Sequence, residues 1–147
     1  MSDQNKALSR RNFEEVWNQR KLEMIDQFVA VNSVLHDPFV PGGKVEGTKG
    51  YRQLVEIYLT AFPDVHFTIH DQIADGDKVA TRWTATGTHK GALMGIAPTG
   101  KLSTVTGISV DLYENGKAVE SWTNYDALGM LQQLGVVPTM APAGTPA

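Results

Sequence analysis

The chain has 147 residues, with 13 Lys and Arg against 16 Asp and Glu, a formal charge of −3 with the histidines neutral. A 41% hydrophobic and 20% charged composition is that of an ordinary globular chain, and the length fits one domain. A pI near 5.7, with no basic run longer than Arg10-Arg11, excludes nucleic acid as a partner, and the absence of cysteine excludes thiolate nucleophiles, disulfides, iron–sulfur clusters and Cys-type zinc sites.

The first twenty residues are polar, without the apolar stretch of a secretory signal, and no segment reaches the roughly 18 apolar residues of a membrane span. A cytoplasmic protein with no membrane partner is expected. Residues 3–30 read as two helices: Phe13, Val16 and Trp17 form one stripe, and Leu22, Ile25, Phe28 and Val29 form another after Asn18-Gln19. Beyond the polar segment His36 to Gly43, a third helix carries Tyr51, Leu54, Val55, Tyr58 and Phe62 on one face and is closed by Pro63.

The period then falls to two. Val65, Phe67 and Ile69 alternate with His66, Thr68 and His70 in a first strand. Asp75-Gly76 predicts a hairpin turn into a second strand, Lys78 to Thr88, and a glycine-rich loop from His89 to Gly100 leads to a third, Leu102 to Tyr113. Asn115-Gly116 predicts a second hairpin, into Ala118 to Tyr125. A short helix, Ala127 to Leu134, stops at Gly135. The expected fold is α+β: residues 1–137 form one domain, a curved antiparallel sheet making a cone with the N-terminal helices on its concave face, and 138–147 form a disordered tail. A cone half-closed by helices offers a small-molecule pocket.

A two-residue loop at Asn115-Gly116 sets Leu112 opposite Val119, Val110 opposite Ser121, Ile108 opposite Thr123 and Thr106 opposite Tyr125, a mostly apolar face that points inward. The other face opposes Asp111 to Glu120, two like charges tolerable mainly in water or with an intervening cation. Ser121, Thr123 and Tyr125 are then the polar groups that the last strand turns into the pocket. A bulge in this hairpin would swap the faces beyond it.

Gly95 to Lys101 has phosphate-loop spacing, but Leu102 stands where Ser or Thr should be and a strand follows where a helix should begin, so it reads as a strand-to-strand loop. His66 and His70, on one strand face about 13 Å apart, cannot share a metal. His36 and His89 sit at junctions, as pocket acid/bases or as side chains held by loop carbonyls. Arg82, mid-strand on the face opposite Val79, Trp83 and Ala85, takes a carboxylate partner, either structural or substrate. Asp126 is either the N-cap of the last helix or a rim carboxylate suited to proton transfer.

Taken together, Gly76-Asp77-Lys78-Val79-Ala80, Arg82-Trp83-Thr84, Gly87-Thr88-His89-x-Gly91, Gly95-x-x-Pro98-Thr99-Gly100-Lys101, Gly116-Lys117, Trp122 and Gln132-Gln133-Leu134-Gly135 resemble the SnoaL-like polyketide cyclases, or ester cyclases, of the nuclear-transport-factor-2-like superfamily. The resemblance runs from about Asn12 to Pro138. It implies an α+β cone and a cofactor-free enzyme that closes a ring by intramolecular aldol condensation on a polyketide ester. It also implies a pocket aspartate as general acid/base, at the position directly after the one matching Trp122. That position is Thr123 here, and a threonine hydroxyl hydrogen-bonds a carbonyl but exchanges no proton near neutral pH.

Asp126 and His36 are the expected replacements for that acid. Ser121 and Thr123 would bond the substrate oxygen, and Tyr58 and Tyr125, with Arg82 and His89 as further binding groups, would hold a hydrophobic carbonyl compound. The rival reading is a non-catalytic ligand-binding or dimerisation module on the same cone. A third, epoxide hydrolysis, would centre on Arg82. Trp122, with Trp83 if that strand turns it outward, predicts an exposed aromatic patch and a homodimer.

Overall fold

The computed structural model describes residues 2–140. Six strands form one sheet in the order β2-β1-β6-β5-β4-β3, and four α-helices accompany it. The elements run α1 (Ser2–Arg11), a π-helical segment (Asn12–Asn18), a short 3-10 turn (Leu22–Met24), α2 (Ile25–Phe28), β1 (Val29–His36), β2 (Lys44–Glu46), α3 (Gly47–Ala61), β3 (His66–Asp75), β4 (Lys78–Thr88), β5 (Leu102–Glu114), β6 (Lys117–Tyr125) and α4 (Ala127–Gln133).

Two strands depart from the expectation. The second predicted helix is only one turn long, because Val29 onward pairs in parallel with β6 and antiparallel with β2. The sheet is therefore mixed. The hairpin between β3 and β4 turns on Gly76-Asp77 rather than Asp75-Gly76, with Asp75 paired to Lys78 and the positive φ on Gly76 alone, the pattern of a type II′ turn. Asn115 and Gly116 both take positive φ (52 and 78), as a type I′ turn requires.

Helices and sheet meet in one apolar layer. Phe13, Val16 and Trp17 of the π-helical segment pack with Ile25, Phe28, Val55 and Trp83, so Trp83 belongs to the core. A second cluster joins Ala61, Phe62 and Val65 to Leu93, Val105, Met130 and Leu134, which seats α4 against β5. Gly91 lets the β4–β5 loop approach α3: a Cβ there would strike the Thr60 carbonyl, and its N–H bonds Ala61 O at 3.1 Å. The segment from Gly95 to Gly100 is part of this connection, as expected.

Trp122 lies on the outer face of the sheet, half-buried, with the His36 ring stacked on it at 5.6 Å and Lys78 Nζ at 5.7 Å. The expected patch of Trp122 with Trp83 does not form, which removes the observation on which the homodimer rested. No helix among the described residues is long and apolar enough to cross a membrane. Of the predicted tail, 138–140 are irregular and 141–147 lie outside the described residues.

Candidate functional site

A bulge decides which groups face the cavity. Tyr113 pairs with Ala118 as the Asn115-Gly116 loop dictates, but Leu112 pairs with Glu120, so Val119 is the extra residue. Beyond it Asp111 opposes Ser121, Ser109 opposes Thr123 and Gly107 opposes Tyr125. On β6 the expected inward set of Ser121, Thr123 and Tyr125 holds. On β5 the expected set of Leu112, Val110, Ile108 and Thr106 is replaced by Asp111, Ser109 and Gly107, with Ser103 and Val105 buried further along. Asp111 thus leaves the wet face, where it would have met Glu120, and enters the interior.

The interior holds a cavity of about 140 Å³ between the sheet, the π-helical segment and α3. Its lining is mostly apolar, with Phe13, Trp17, Phe28, Leu54, Phe67 and Trp83 as the larger walls. Asp37 and Asp111 are its only carboxylates among the described residues, and no Lys, Arg or His lines it.

Asp111 is held from both sides. Ser121 Oγ donates to Oδ1 at 2.6 Å and Ser9 Oγ, from α1, donates to Oδ2 at 3.0 Å. Ser9 has one proton and gives it to Asp111, so the Tyr113 hydroxyl, 2.5 Å from Ser9 Oγ, must be the donor in that contact. A relay runs Tyr113 to Ser9 to Asp111. Asp111 is half-buried and lines the cavity. Burial pushes its pKa above the ordinary carboxylate range, against the two serine hydrogen bonds that favour the anion.

Tyr51, on α3, faces this end of the cavity. Its oxygen accepts from Asn12 Nδ2 at 2.8 Å and Trp17 Nε1 at 3.0 Å, which leaves its own proton to give. Burial, with the Asp111 charge adding to it, pushes the phenol up to about 12, so it stays protonated. Beside it Trp83 Nε1 donates to Ser109 Oγ at 3.1 Å, and Ser109 lies 3.0 Å from Thr123 Oγ1. If Ser109 passes its proton to Thr123, the threonine O–H is free to point into the cavity.

The other sequence candidates separate into two groups. Tyr58 and Tyr125 line the cavity with Ser121 and Thr123, their hydroxyls 2.5 Å apart. Asp126, His36, Arg82 and His89 do not line it. Asp126 is exposed and caps α4, its Oδ1 accepting from Gly129 N at 2.9 Å. His36 sits on the outer face with Nε2 2.7 Å from Oε2 of Glu120, which alternates outward from Ser121 on β6. Arg82 is exposed and bonds Asp71 across the strand pair at 3.0 Å, so the epoxide-hydrolysis reading has no centre. His89 is fully buried, and its Nδ1 accepts from the Thr99 N–H at 3.2 Å, tying the β4–β5 loop together.

Sequence reasoning missed Asp111 through a parity error of one residue. The signal was present: a register that sets Asp111 against Glu120 carries a like-charge clash, and one inserted residue relieves it. Asp37 falls within the polar segment His36 to Gly43, where nothing in the sequence sets it apart.

Inside the α+β cone a mostly apolar cavity carries a protonated phenol, Tyr51, beside the carboxyl of Asp111. The comparisons with known proteins give the kinship of that cone: the SnoaL-like polyketide cyclase model matches residues 7–134, and the chain belongs to this family. A proposed polyketide cyclase from Acidithiobacillus ferrooxidans is 34% identical, with a TM-score of 0.81 over 92% of this chain and 96% of that one. IdmH, a proposed polyketide cyclase from Streptomyces antibioticus, is 32% identical, with a TM-score of 0.78 over 90% and 99%. AclR, a proposed hydroxylase from Streptomyces galilaeus, is 28% identical, with a TM-score of 0.82 over 96% and 87%. No curated protein matches the chain.

Proposed function

We propose that this protein closes a ring in a neutral, hydrophobic polyketide-like ester by cofactor-independent acid/base catalysis, with Asp111 as the proton carrier. The observation that carries this reading is the carboxyl of Asp111, raised by burial and opening onto an apolar cavity. A carboxyl that burial makes a stronger base than an ordinary carboxylate suits removal of a proton from a carbon between two carbonyls.

The step balances with one group. Asp111 takes the carbon-bound proton as a carboxylate, the electron pair moves to the adjacent carbonyl oxygen, and Tyr51 and Thr123 hydrogen-bond that enolate. The carbon then attacks a second carbonyl of the same molecule. The new alkoxide takes the proton back from Asp111, leaving the carboxylate restored and the substrate isomerised. Thr123 keeps a binding role at the position where the family's aspartate is expected.

The same cavity selects against anions. Two carboxylates with no cation among the lining residues repel a free acid, whereas an ester meets only dipoles. A suitable probe is a β-keto methyl ester with a second ketone four carbons further along, which closes to a six-membered carbocycle. By NMR the ester should be cyclised well above the buffer rate, and calorimetry should show the matching free acid binding about tenfold or more weakly. Equal binding of acid and ester would contradict this account of the cavity. Tight ester binding with no turnover over hours would favour the ligand-binding module.

A further inference from the structure

The cavity holds a carboxylate that ring closure at Asp111 does not use. Asp37 follows β1, is 4% exposed and lines the cavity. Its Oδ1 accepts the Phe39 N–H at 2.9 Å, closing an Asx turn over Pro38, and among the described residues no donor reaches Oδ2. The side chain gives up most of its hydration for one hydrogen bond, and Oδ2 keeps open surface. It has been left with an acceptor to fill.

The fold supplies a ruler between the two carboxylates. Asp111 belongs with Tyr51 and Tyr113, whose phenols its charge helps to raise, and Asp37 belongs in the same way with Tyr58 and Tyr125. Tyr51 and Tyr58 are seven residues apart on one face of α3, a rise of about 10 Å. On the opposite wall Ser121, bonded to Asp111, and Tyr125, bonded to Tyr58, are four residues apart on β6, about 13 Å. In an aldol closure the reacting atoms come within about 3–3.5 Å of each other. A group some 10 Å away cannot serve the same bond, and it is placed to read a different part of the substrate.

We infer that Asp37 Oδ2 receives a hydrogen-bond donor, a hydroxyl or a protonated amine, which the substrate carries about 10 Å from its reacting carbonyls. This rests on the cavity being the substrate site. The substrate is thus two-ended: carbonyls at Asp111, a donor at Asp37, and an apolar span between them against Phe67, Trp83 and Leu54.

The test is a binding series measured by calorimetry, independent of turnover. β-Keto methyl esters with a saturated chain of about 10 Å are made with a terminal hydroxyl, ammonium, methyl or methyl ketone. The wild type should bind the hydroxyl or ammonium probe about 10–100-fold more tightly than the methyl probe, the usual worth of a hydrogen bond to a charged group. The tighter of the two identifies the donor.

Asp37→Asn keeps the turn, because Oδ1 still accepts the Phe39 N–H, and puts an Nδ2 donor where Oδ2 was. Its preference should swing to the ketone probe. A wild type that ranks all four probes alike, or an Asp37→Asn variant that keeps the donor preference, would overturn the inference. Either result with ring closure intact removes the role of Asp37 alone. Ring closure surviving in Asp111→Asn would remove the proposed chemistry and leave this binding result standing.

Discussion

Asp111→Asn is expected to cost ring closure about 10²–10⁴-fold while making the protein more stable at neutral pH. Asparagine fits the same space, accepts from one serine through Oδ1 and leaves the Ser9 and Ser121 hydroxyls free to rotate, so the geometry is kept and only the proton carrier is lost. The stability gain follows from linkage. The folded-state pKa of Asp111 is raised, so the folded protein holds the proton more tightly than the unfolded chain, and stability from this group is lost as pH rises through the folded value. The variant escapes that loss. Thermal melts should therefore show it more stable than wild type at pH 7, with the difference shrinking as pH falls and gone once the carboxyl is protonated in both states. A variant less stable than wild type at pH 7 and equal to it in activity would remove Asp111 from the account.

The second large effect is at Gly107. This glycine stands between Trp83 and Tyr125 in the sheet, and a Cβ on it would overlap the six-membered ring of Trp83. The strand cannot retreat, because ladder bonds hold it on both sides, so the indole must move. Its Nε1 then loses Ser109, and Ser109 no longer orders Thr123. Gly107→Ala should lose about 1–3 kcal/mol in denaturant melts and lower turnover as well. Combining it with Trp83→Leu should cost less than the two single changes added together, because the leucine vacates the slot the methyl needs. Strict additivity would show that the glycine is not there to seat the tryptophan.

Much of the fold could be read from the chain. The stripe from Tyr51 to Phe62 specifies α3 through local spacing, and Asn115-Gly116 specifies its turn through backbone chemistry, both short-range signals. β1 was hidden because Phe28-Val29 continues a helical stripe, and only pairing with β6, some ninety residues away in the chain, makes those residues extended. The parallel pairing leaves no turn signal at all. The site was legible on one wall. Ser121, Thr123 and Tyr125 alternate inward whichever register β5 adopts, whereas Asp111 changes face with a single bulged residue. Asp126 and His36 looked like replacement acids because both stand beside elements that line the cavity, and the side-chain directions put one on a helix cap and the other on the outer face.

The proposed role of Asp111 is to move the proton of this cavity. It is tested most directly by following hydrogen–deuterium exchange at the carbon between the two carbonyls of the β-keto ester probe, in deuterated buffer, with wild type, Asp111→Asn, Asp126→Ala and His36→Gln. Wild type, Asp126→Ala and His36→Gln should accelerate exchange alike, and Asp111→Asn should fall to the buffer rate. Exchange that persists in Asp111→Asn and disappears in Asp126→Ala or His36→Gln would contradict the account.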